Sequence, residues 1–231
     1  EYNGKDIPNI PEERRYICAP FHKIESWSTA VPDEEILSQL IYRQECNLLF
    51  VSRVAPNKGH MFLLKVLARY RAYFGDDIKL HIIGKFDDGL GEYNDEINKL
   101  VSEYHLSHCL NFVGEVTDSI LVSYYLGCDF FICASDHEGF GVPLIESQYF
   151  KLPVIAKNTS AVSETLGQRQ IVLEDAPKDF AAAIAVLRRN REYYHYLQIE
   201  GRKNYDTRFT NDILKDKFIA ALKKFDVLES A

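Results

Sequence analysis

The sequence has no apolar run that approaches the ~18 consecutive residues of a membrane span, so we expect no transmembrane segment within it. It also has no excess of positive charge. Lys and Arg number 27 against 34 Asp and Glu, which gives a formal net charge of −7. Because a protein that binds nucleic acid generally carries a net basic face, nucleic acid is not an expected partner.

Sulfur-containing residues are scarce. Met61 is the only methionine, and the chain does not begin with one, which indicates a fragment or an excised domain. The five cysteines show no C-x-x-C spacing, and Cys46, Cys128 and Cys133 lie in or beside apolar runs. This pattern is typical of buried free thiols in a reducing compartment, so we expect a cytoplasmic protein.

The sequence also lacks a standard zinc-binding spacing. His105, His108 and Cys109 lie close together, but no fourth ligand is near them in the sequence. We interpret these three residues as the end of a helix, and we predict no metal site.

Short apolar runs alternate with amphipathic segments along most of the chain. The predicted strands are 17–21, 47–51, 78–84, 110–114, 128–134, 153–156 and 171–173. The predicted helices are 32–44, 57–74, 92–105, 118–126, a helix ending at 150, and then 161–166, 177–189, 192–205 and 211–225. This alternation predicts an α/β fold, in which helices cover both faces of a parallel sheet. Residues 1–16 are polar and are predicted to be a linker or an interdomain remnant, which leaves 17–231 as the domain.

The most informative stretch is EGFGVPLIE at 138–146, which follows an apolar run and leads into a predicted helix. Glycines allow the backbone to approach a ligand closely, and a helix N-terminus presents unpaired N–H groups to phosphate. Pro143 suits the first helical position. Glu146 follows about one turn into the helix, where the dipole favours its ionised form. An ionised carboxylate there can accept hydrogen bonds from two neighbouring hydroxyls, such as those of a ribose.

These residues resemble the donor-binding half of retaining glycosyltransferases of the GT-B fold, family GT4. The resemblance starts from the two glutamates eight positions apart and extends to other motifs in the family's order. The other motifs are SRVAPNKGH at 52–60, LHIIG at 80–84, NFVGEV at 111–116, PVIA at 153–156 and SETLG at 163–167. The likeness covers roughly residues 47–225, and the order of the motifs makes it specific.

The resemblance implies a Rossmann-like domain that binds a nucleoside diphosphate sugar. It implies that Glu138 lies beside the donor sugar and that Glu146 holds the ribose. The donor-binding residues expected from it are Gly84, Gly139, Phe140, Gly141, Val142, Leu144, Glu146 and Ser160. Lys85, Asn158 and Thr159 are weaker candidates, because the sequence departs there from the glycine-rich turns of the family.

Arg53 and Lys58 match the diphosphate clamp of the family. Two fixed cations and helix amides would stabilise the negative charge on the leaving oxygen without a metal, so no cofactor is expected. Taken alone, such a pair would more often be two solvated surface cations, and the glutamate motif reverses that interpretation. Together with Glu138 they form the expected catalytic set. Whether Glu138 is a nucleophile or only flanks a same-face attack is left open by the sequence.

The expected reaction is transfer of a sugar to a hydroxyl acceptor, in polysaccharide or glycolipid synthesis. Mannose from GDP-mannose is one candidate, and UDP-glucose and related donors are close behind. An N-terminal domain, absent from these residues, is expected to supply most of the acceptor site and any membrane attachment. The chain alone is therefore expected to bind donor and to transfer little or nothing.

Three alternatives accompany this hypothesis. A nucleotide-sugar epimerase of the same fold, and a non-catalytic module that senses nucleotide sugars, both remain compatible with the motifs. An NAD-linked oxidoreductase is disfavoured, because Leu144 stands where the third glycine of G-x-G-x-x-G would be.

Overall fold

The computed structural model describes residue 16, residues 18–85 and residues 89–224. The strands in this part are β1 (Cys46–Val51), β2 (Ile78–Ile83), β3 (Leu110–Gly114), β4 (Phe130–Cys133), β5 (Val154–Lys157) and β6 (Ile171–Leu173). The helices are α1 (Glu34–Ile41), α2 (His60–Phe74), α3 (Gly91–Glu103), α4 (Asp118–Gly127), α5 (Val142–Tyr149), α6 (Val162–Leu166), α7 (Pro177–Arg189), α8 (Arg191–Arg208) and α9 (Asn211–Lys224). Short 3-10 helices occur at Ile24–Thr29, Pro56–Lys58 and Ser107–Cys109.

The six strands form one parallel sheet in the order β3-β2-β1-β4-β5-β6. This confirms the predicted α/β class and its Rossmann-like character. The chain moves outward from β1 to β3 and then returns to place β4 on the other side of β1. In open parallel sheets, ligands bind beyond the carboxyl ends of the strands at the point where the order reverses. The expected site therefore lies between the segments that follow β1 and β4.

The apolar runs form strands because they are buried on both sides of the sheet. Successive side chains of a strand point to opposite faces, yet Leu48 and Leu49 are each 0% exposed. Helices must therefore cover both faces, as parallel sheets require. Among the described residues, no helix is long and apolar enough to cross a membrane.

Two local predictions were wrong. The strand predicted at 17–21 is absent from residues 18–21, where Pro20 has no N–H to offer a sheet. His22, just after it, instead contacts the carbonyl oxygen of Phe209 through Nε2 at 2.7 Å. The helix predicted at 57–74 is interrupted at Gly59, whose φ of 73° separates the 3-10 turn from α2. The linker predicted at 1–16 lies outside the described residues, except for Tyr16.

Polar side chains on β1, β2 and β3 form a hydrogen-bonded line across the sheet, with Asn47 and His81 buried and Asn111 partly buried. His81 donates from Nε2 to the side-chain oxygen of Asn47 at 3.0 Å, and Nδ1 accepts from Asn111 at 3.1 Å. This pattern requires a neutral imidazole, because a protonated Nδ1 would face another donor. Burial lowers the pKa of His81 to about 4, and it also lowers the pKa of the buried His60 to about 4.

The lowered pKa values of these two histidines predict a loss of stability in mild acid. Below their ordinary pKa of about 6.5 the unfolded chain binds two protons that the folded chain excludes until about pH 4. The contribution of the two histidines to the free energy of unfolding should therefore fall with decreasing pH between these limits, by about 1.4 kcal/mol per pH unit for each histidine. Glu146, whose pKa burial raises to about 7, has the opposite effect and offsets one histidine's share down to its ordinary pKa of about 4.5. Urea denaturation at several pH values measures this slope. His81→Gln should remove one histidine's share of it, whereas His195→Gln, at an exposed position, should not.

Candidate functional site

The loops after β1 and β4 meet at the carboxyl edge of the sheet. The N–H of Asp136 donates to the carbonyl oxygen of Asn57 at 2.9 Å. Gly59 lies against Ala134 so closely that an added Cβ would be 2.1 Å from the carbonyl oxygen of Ala134. Only a residue without a side chain permits this approach at a positive φ. The contact brings the segments that carry the predicted clamp and the predicted carboxylate together.

An ion pair joins the two segments. Lys58 Nζ donates to Glu138 Oε1 at 2.7 Å, and the side chains are 19% and 15% exposed. The pair is therefore partly screened from water while remaining open to a ligand. The structure thus brings together two of the three residues in the expected catalytic set, which are 80 positions apart in the chain.

Arg53 lies directly after β1, and its side chain is exposed. The backbone on either side of it continues the pairing of β1 with β2, since Ser52 N–H donates to Ile83 and Val54 N–H to Lys85. Among residues 16, 18–85 and 89–224, Arg53 forms no ion pair and does not join the contact between Lys58 and Glu138. Its charge, like that of the exposed Lys85, faces solvent at the same edge of the sheet.

Gly84 makes this pairing possible. Its φ is 145°, and an added Cβ would lie 2.0 Å from the carbonyl oxygen of Ser52. Among the predicted donor-binding residues, Gly84 therefore has a clear structural role in holding the two strand ends together.

The glycine turn at 139–141 ends at the start of α5. Gly141 has a φ of 79°, and Pro143 occupies the first turn of the helix. The carbonyl oxygen of Phe140 accepts a hydrogen bond from Thr165 Oγ1 at 2.7 Å. Leu144 is 1% exposed, so its side chain belongs to the core. Any contact of Leu144 with a ligand would involve its backbone, as would contacts of Gly139, which has no side chain.

The loop after β5 is tied to the loop after β4. Ser160 has a φ of 46°, which is unusual for a residue with a side chain, and its Oγ lies 2.9 Å from His137 Nδ1. Thr159 Oγ1 donates to the carbonyl oxygen of Ser135 at 2.7 Å. The Asn158 side chain is bonded to Glu174 and Ser163. The predicted residue Ser160 therefore lies beside the Glu138 segment, whereas the Asn158 amide is already engaged.

Glu146 differs from its predicted state. It is only 8% exposed, and its Oε2 accepts a hydrogen bond from the Tyr125 hydroxyl at 2.5 Å. Burial raises the pKa of Glu146 to about 7. The sequence predicted that the helix dipole favours the ionised form of this carboxylate, and desolvation at this depth opposes that preference. Near neutral pH, both protonation states are populated.

Sequence reasoning missed two residues that support the site. Tyr125 carries no local signal, since its partner lies on another helix. Lys157 is 8% exposed and binds Asp136 at 2.7 Å and Asp175 at 2.8 Å. A lysine that ends an apolar run was a usable signal, because buried lysines are rare unless paired. Lys157 ties the loop before Glu138 to the segment after β6.

The sequence shows no fourth ligand near His105, His108 and Cys109, but the fold brings Asp76 beside His108 and Cys109. Asp76 joins these two residues, so that their ligand atoms lie within 4.8 Å of one another. Arg71 donates to Asp76 there. The three residues precede β2 and β3, at the edge of the sheet opposite the Lys58–Glu138 pair.

What the arrangement can do follows from its charges. Lys58, the exposed cations Arg53 and Lys85, and the N-terminus of α5 suit a ligand that carries more than one negative charge, such as a diphosphate. The adjacent carboxylate of Glu138 suits a polar group attached to that ligand.

Comparison with known proteins agrees with this geometry. The family profile described as "Glycosyl transferases group 1" matches residues 33–204. The serotype-specific mannosyltransferase WbdA of Escherichia coli is 30% identical over 68% of this chain and 19% of its own. The D-inositol 3-phosphate glycosyltransferase of Geodermatophilus obscurus is 28% identical over 75% of this chain and 39% of its own. The chain thus spans well under half the length of these relatives.

Solved structures share the fold. HepE from Anabaena, in complex with UDP and glucose, superposes with a TM-score of 0.82 at 16% identity, over 96% of this chain and 60% of that chain. The C-terminal domain of LpcC from Francisella tularensis superposes with a TM-score of 0.65 at 19% identity, over 80% of this chain and 97% of that domain.

Proposed function

The chain belongs to the family of glycosyl transferases group 1, and from this premise we propose that it is the donor-binding domain of a retaining, GT4-type hexosyltransferase. The observation that carries the proposal is the ion pair of Lys58 and Glu138 at the point where the strand order reverses. It places a cation and a carboxylate side by side, next to a glycine turn that opens a helix.

In this proposal the diphosphate of the donor lies across the carboxyl edge of β1 and β4. Lys58 donates to the diphosphate, Arg53 supplies a second positive charge, and N–H groups at the start of α5 complete the site. Negative charge grows on the leaving oxygen as the bond to the sugar breaks. Groups already held in position stabilise that charge more than they stabilise the ground state, which is how they accelerate transfer.

Glu138 is proposed to lie beside the transferred sugar. Without a ligand, the Glu138 carboxylate neutralises the charge of Lys58, and a bound diphosphate would compete with Glu138 for that cation. Its carboxylate would then be able to accept hydrogen bonds from sugar hydroxyls or to stabilise positive charge at the anomeric carbon. The buried Lys157, paired with the exposed carboxylates of Asp136 and Asp175, holds the preceding loop in position for this role.

The proposed sugar is a hexose, with mannose as the first candidate. WbdA and the human alpha-1,3/1,6-mannosyltransferase ALG2 are both named for mannose transfer, whereas HepE was solved with UDP and glucose. The proposed acceptor is a hydroxyl of a growing polysaccharide or glycolipid. It would be bound mainly by a further domain of the whole protein.

Calorimetric titration tests the donor site directly. We expect one of GDP, UDP and ADP to bind the chain, to bind equally with magnesium or with a chelator, and to bind more tightly than its monophosphate. GDP-mannose and UDP-glucose then identify the sugar. The matched monophosphate is the control for recognition of the diphosphate. Equal affinity for mono- and diphosphates, or no binding of any nucleotide, would contradict the proposed site.

A further inference from the structure

The hydrogen bond between Tyr125 and Glu146 joins two helices across the interior. Tyr125 lies on α4 and Glu146 on α5, and the residues are 1% and 8% exposed. The hydroxyl oxygen and Oε2 are 2.5 Å apart, a short distance that is typical of a hydroxyl bonded to a carboxylate. Among the described residues, Oε1 of Glu146 accepts no hydrogen bond. The bond therefore engages one carboxylate oxygen and leaves the other available.

The Tyr125 ring is held by aromatic neighbours on several sides. It stacks on Phe150 with centroids 5.2 Å apart and planes 10° apart. Trp27 and Phe131 lie at 6.3 and 6.4 Å. A ring packed in this way has little freedom to turn, so its hydroxyl occupies one position. A donor with a locked orientation fixes the carboxylate that it contacts.

We propose that Tyr125 is a positioning residue for donor binding: its hydroxyl holds Glu146 so that Oε1 and the remaining lone pairs of Oε2 face the neighbouring hydroxyls of the donor's ribose. This inference rests on the proposed function. It extends that proposal by naming the group that orients Glu146. This group, the Tyr125 hydroxyl, is neither on the same helix as Glu146 nor in the motif of the two glutamates.

The same bond makes donor affinity depend on pH. An ionised carboxylate can accept hydrogen bonds at both of its oxygens, whereas a protonated carboxyl group carries a proton on one oxygen and donates from it. The Tyr125 hydroxyl favours the ionised form, and burial opposes it. The charged groups that act on Glu146 are Lys23 and Asp118, which pair with each other at 2.6 Å and act on it in opposite directions. Affinity should therefore rise between about pH 6 and pH 8, as Glu146 loses its proton.

The test compares two ligands on three proteins. The ligands are the nucleoside diphosphate that binds most tightly and its 2′,3′-dideoxy form, which lacks the ribose hydroxyls. The proteins are the wild-type chain, Tyr125→Phe and Tyr70→Phe. Tyr70 is a matched control, because it is also buried, at 2% exposure, and its hydroxyl is bonded to Arg188 away from the site.

We expect Tyr125→Phe to weaken binding of the ribonucleotide by about tenfold at pH 7, the effect of one charge-assisted hydrogen bond. Binding of the dideoxy form should change little. The pH at which affinity rises should also move upward in Tyr125→Phe, because the carboxylate has lost a donor. Tyr70→Phe should alter neither quantity. A structural role alone would weaken both ligands equally.

A second variant keeps the inference testable if Tyr125→Phe folds poorly. Glu146→Gln should abolish the preference for the ribonucleotide and its pH dependence. Where Tyr125→Phe does fold, adding it to Glu146→Gln should cause no further loss, because the two residues act through one bond.

The outcomes separate the inference from the proposed function. A wild-type chain that prefers the ribonucleotide, together with a Tyr125→Phe variant that keeps the full preference, would overturn the inference alone. A wild-type chain without that preference would also overturn it. If the wild-type chain binds no nucleoside diphosphate, both the proposed function and the inference fail.

Discussion

Replacing Lys58 with alanine is expected to weaken binding of the preferred nucleoside diphosphate by about a hundredfold. Loss of one partner from a partly buried charge pair commonly costs ~2–5 kcal/mol in binding, because the remaining charge is left without a partner. Here the remaining charge is the carboxylate of Glu138, which lies 2.7 Å from the missing ammonium group and would repel the incoming phosphates. Calorimetric titration of the variant measures the loss.

Two further variants isolate the cause. Lys65→Ala removes an exposed lysine from α2 and should leave affinity unchanged at moderate salt. Glu138→Gln combined with Lys58→Ala should recover part of the affinity, since it removes the unpaired negative charge. If Lys58→Ala binds the nucleotide as tightly as Lys65→Ala does, Lys58 is not part of the phosphate site.

Replacing Gly59 with alanine is expected to lower the free energy of unfolding by about 4 kcal/mol, a cost made up of backbone strain and a steric clash. The φ of 73° is strained for alanine, and its Cβ would lie 2.1 Å from the carbonyl oxygen of Ala134. That oxygen belongs to the backbone just after β4, so it cannot move aside as a flexible side chain could. Relief requires the loops after β1 and β4 to separate.

Gly91→Ala is the matched control for this substitution. Gly91 begins α3, lies in the exposed part of the chain, and an added Cβ would have no neighbour within 4 Å. It should leave stability unchanged or raise it slightly. Urea denaturation of both variants gives the comparison. A Gly59→Ala variant as stable as Gly91→Ala would show that the two loops do not meet as closely as the structure has them.

The Gly59→Ala variant also tests how the site depends on the fold. Separation of the two loops would move Lys58 away from Glu138, so any Gly59→Ala protein that remains folded should bind the diphosphate poorly. The close contact of two backbones is thus a precondition for the ion pair that carries the proposed function.

Much of the fold was predictable because the signals are local. The apolar runs that became β1, β2, β3 and β6 were identified to within a residue or two, since burial on both faces of a sheet requires such runs. The strand predicted at 17–21 failed both because Pro20 has no N–H to offer a sheet and because the chain next to it makes contacts with distant helices. His22, just after that segment, is bonded to the carbonyl oxygen of Phe209 at the end of α8, and the Phe21 ring packs against Phe218 of α9 with centroids 5.8 Å apart.

The location of the candidate site was also predictable from the sequence. Parallel strands place their carboxyl ends at one edge, so residues that follow different strands collect there. The contact between Lys58 and Glu138, which are 80 positions apart, forms at this edge, and only the structure shows that these two residues pair. The assigned roles of Arg53, Glu138 and Glu146 remain predictions, which the variants above are designed to test.

By itself, the sequence determined the order of strands and helices, the edge where the site forms and the kinds of residue gathered there. Only the tertiary structure decided the protonation of Glu146, because its pKa depends on burial beneath segments remote in the chain. It likewise decided that Tyr125 contacts this carboxylate and that Lys157 binds two aspartates. Periodicity is a property of neighbouring residues, whereas desolvation and pairing depend on the groups that folding brings close from elsewhere.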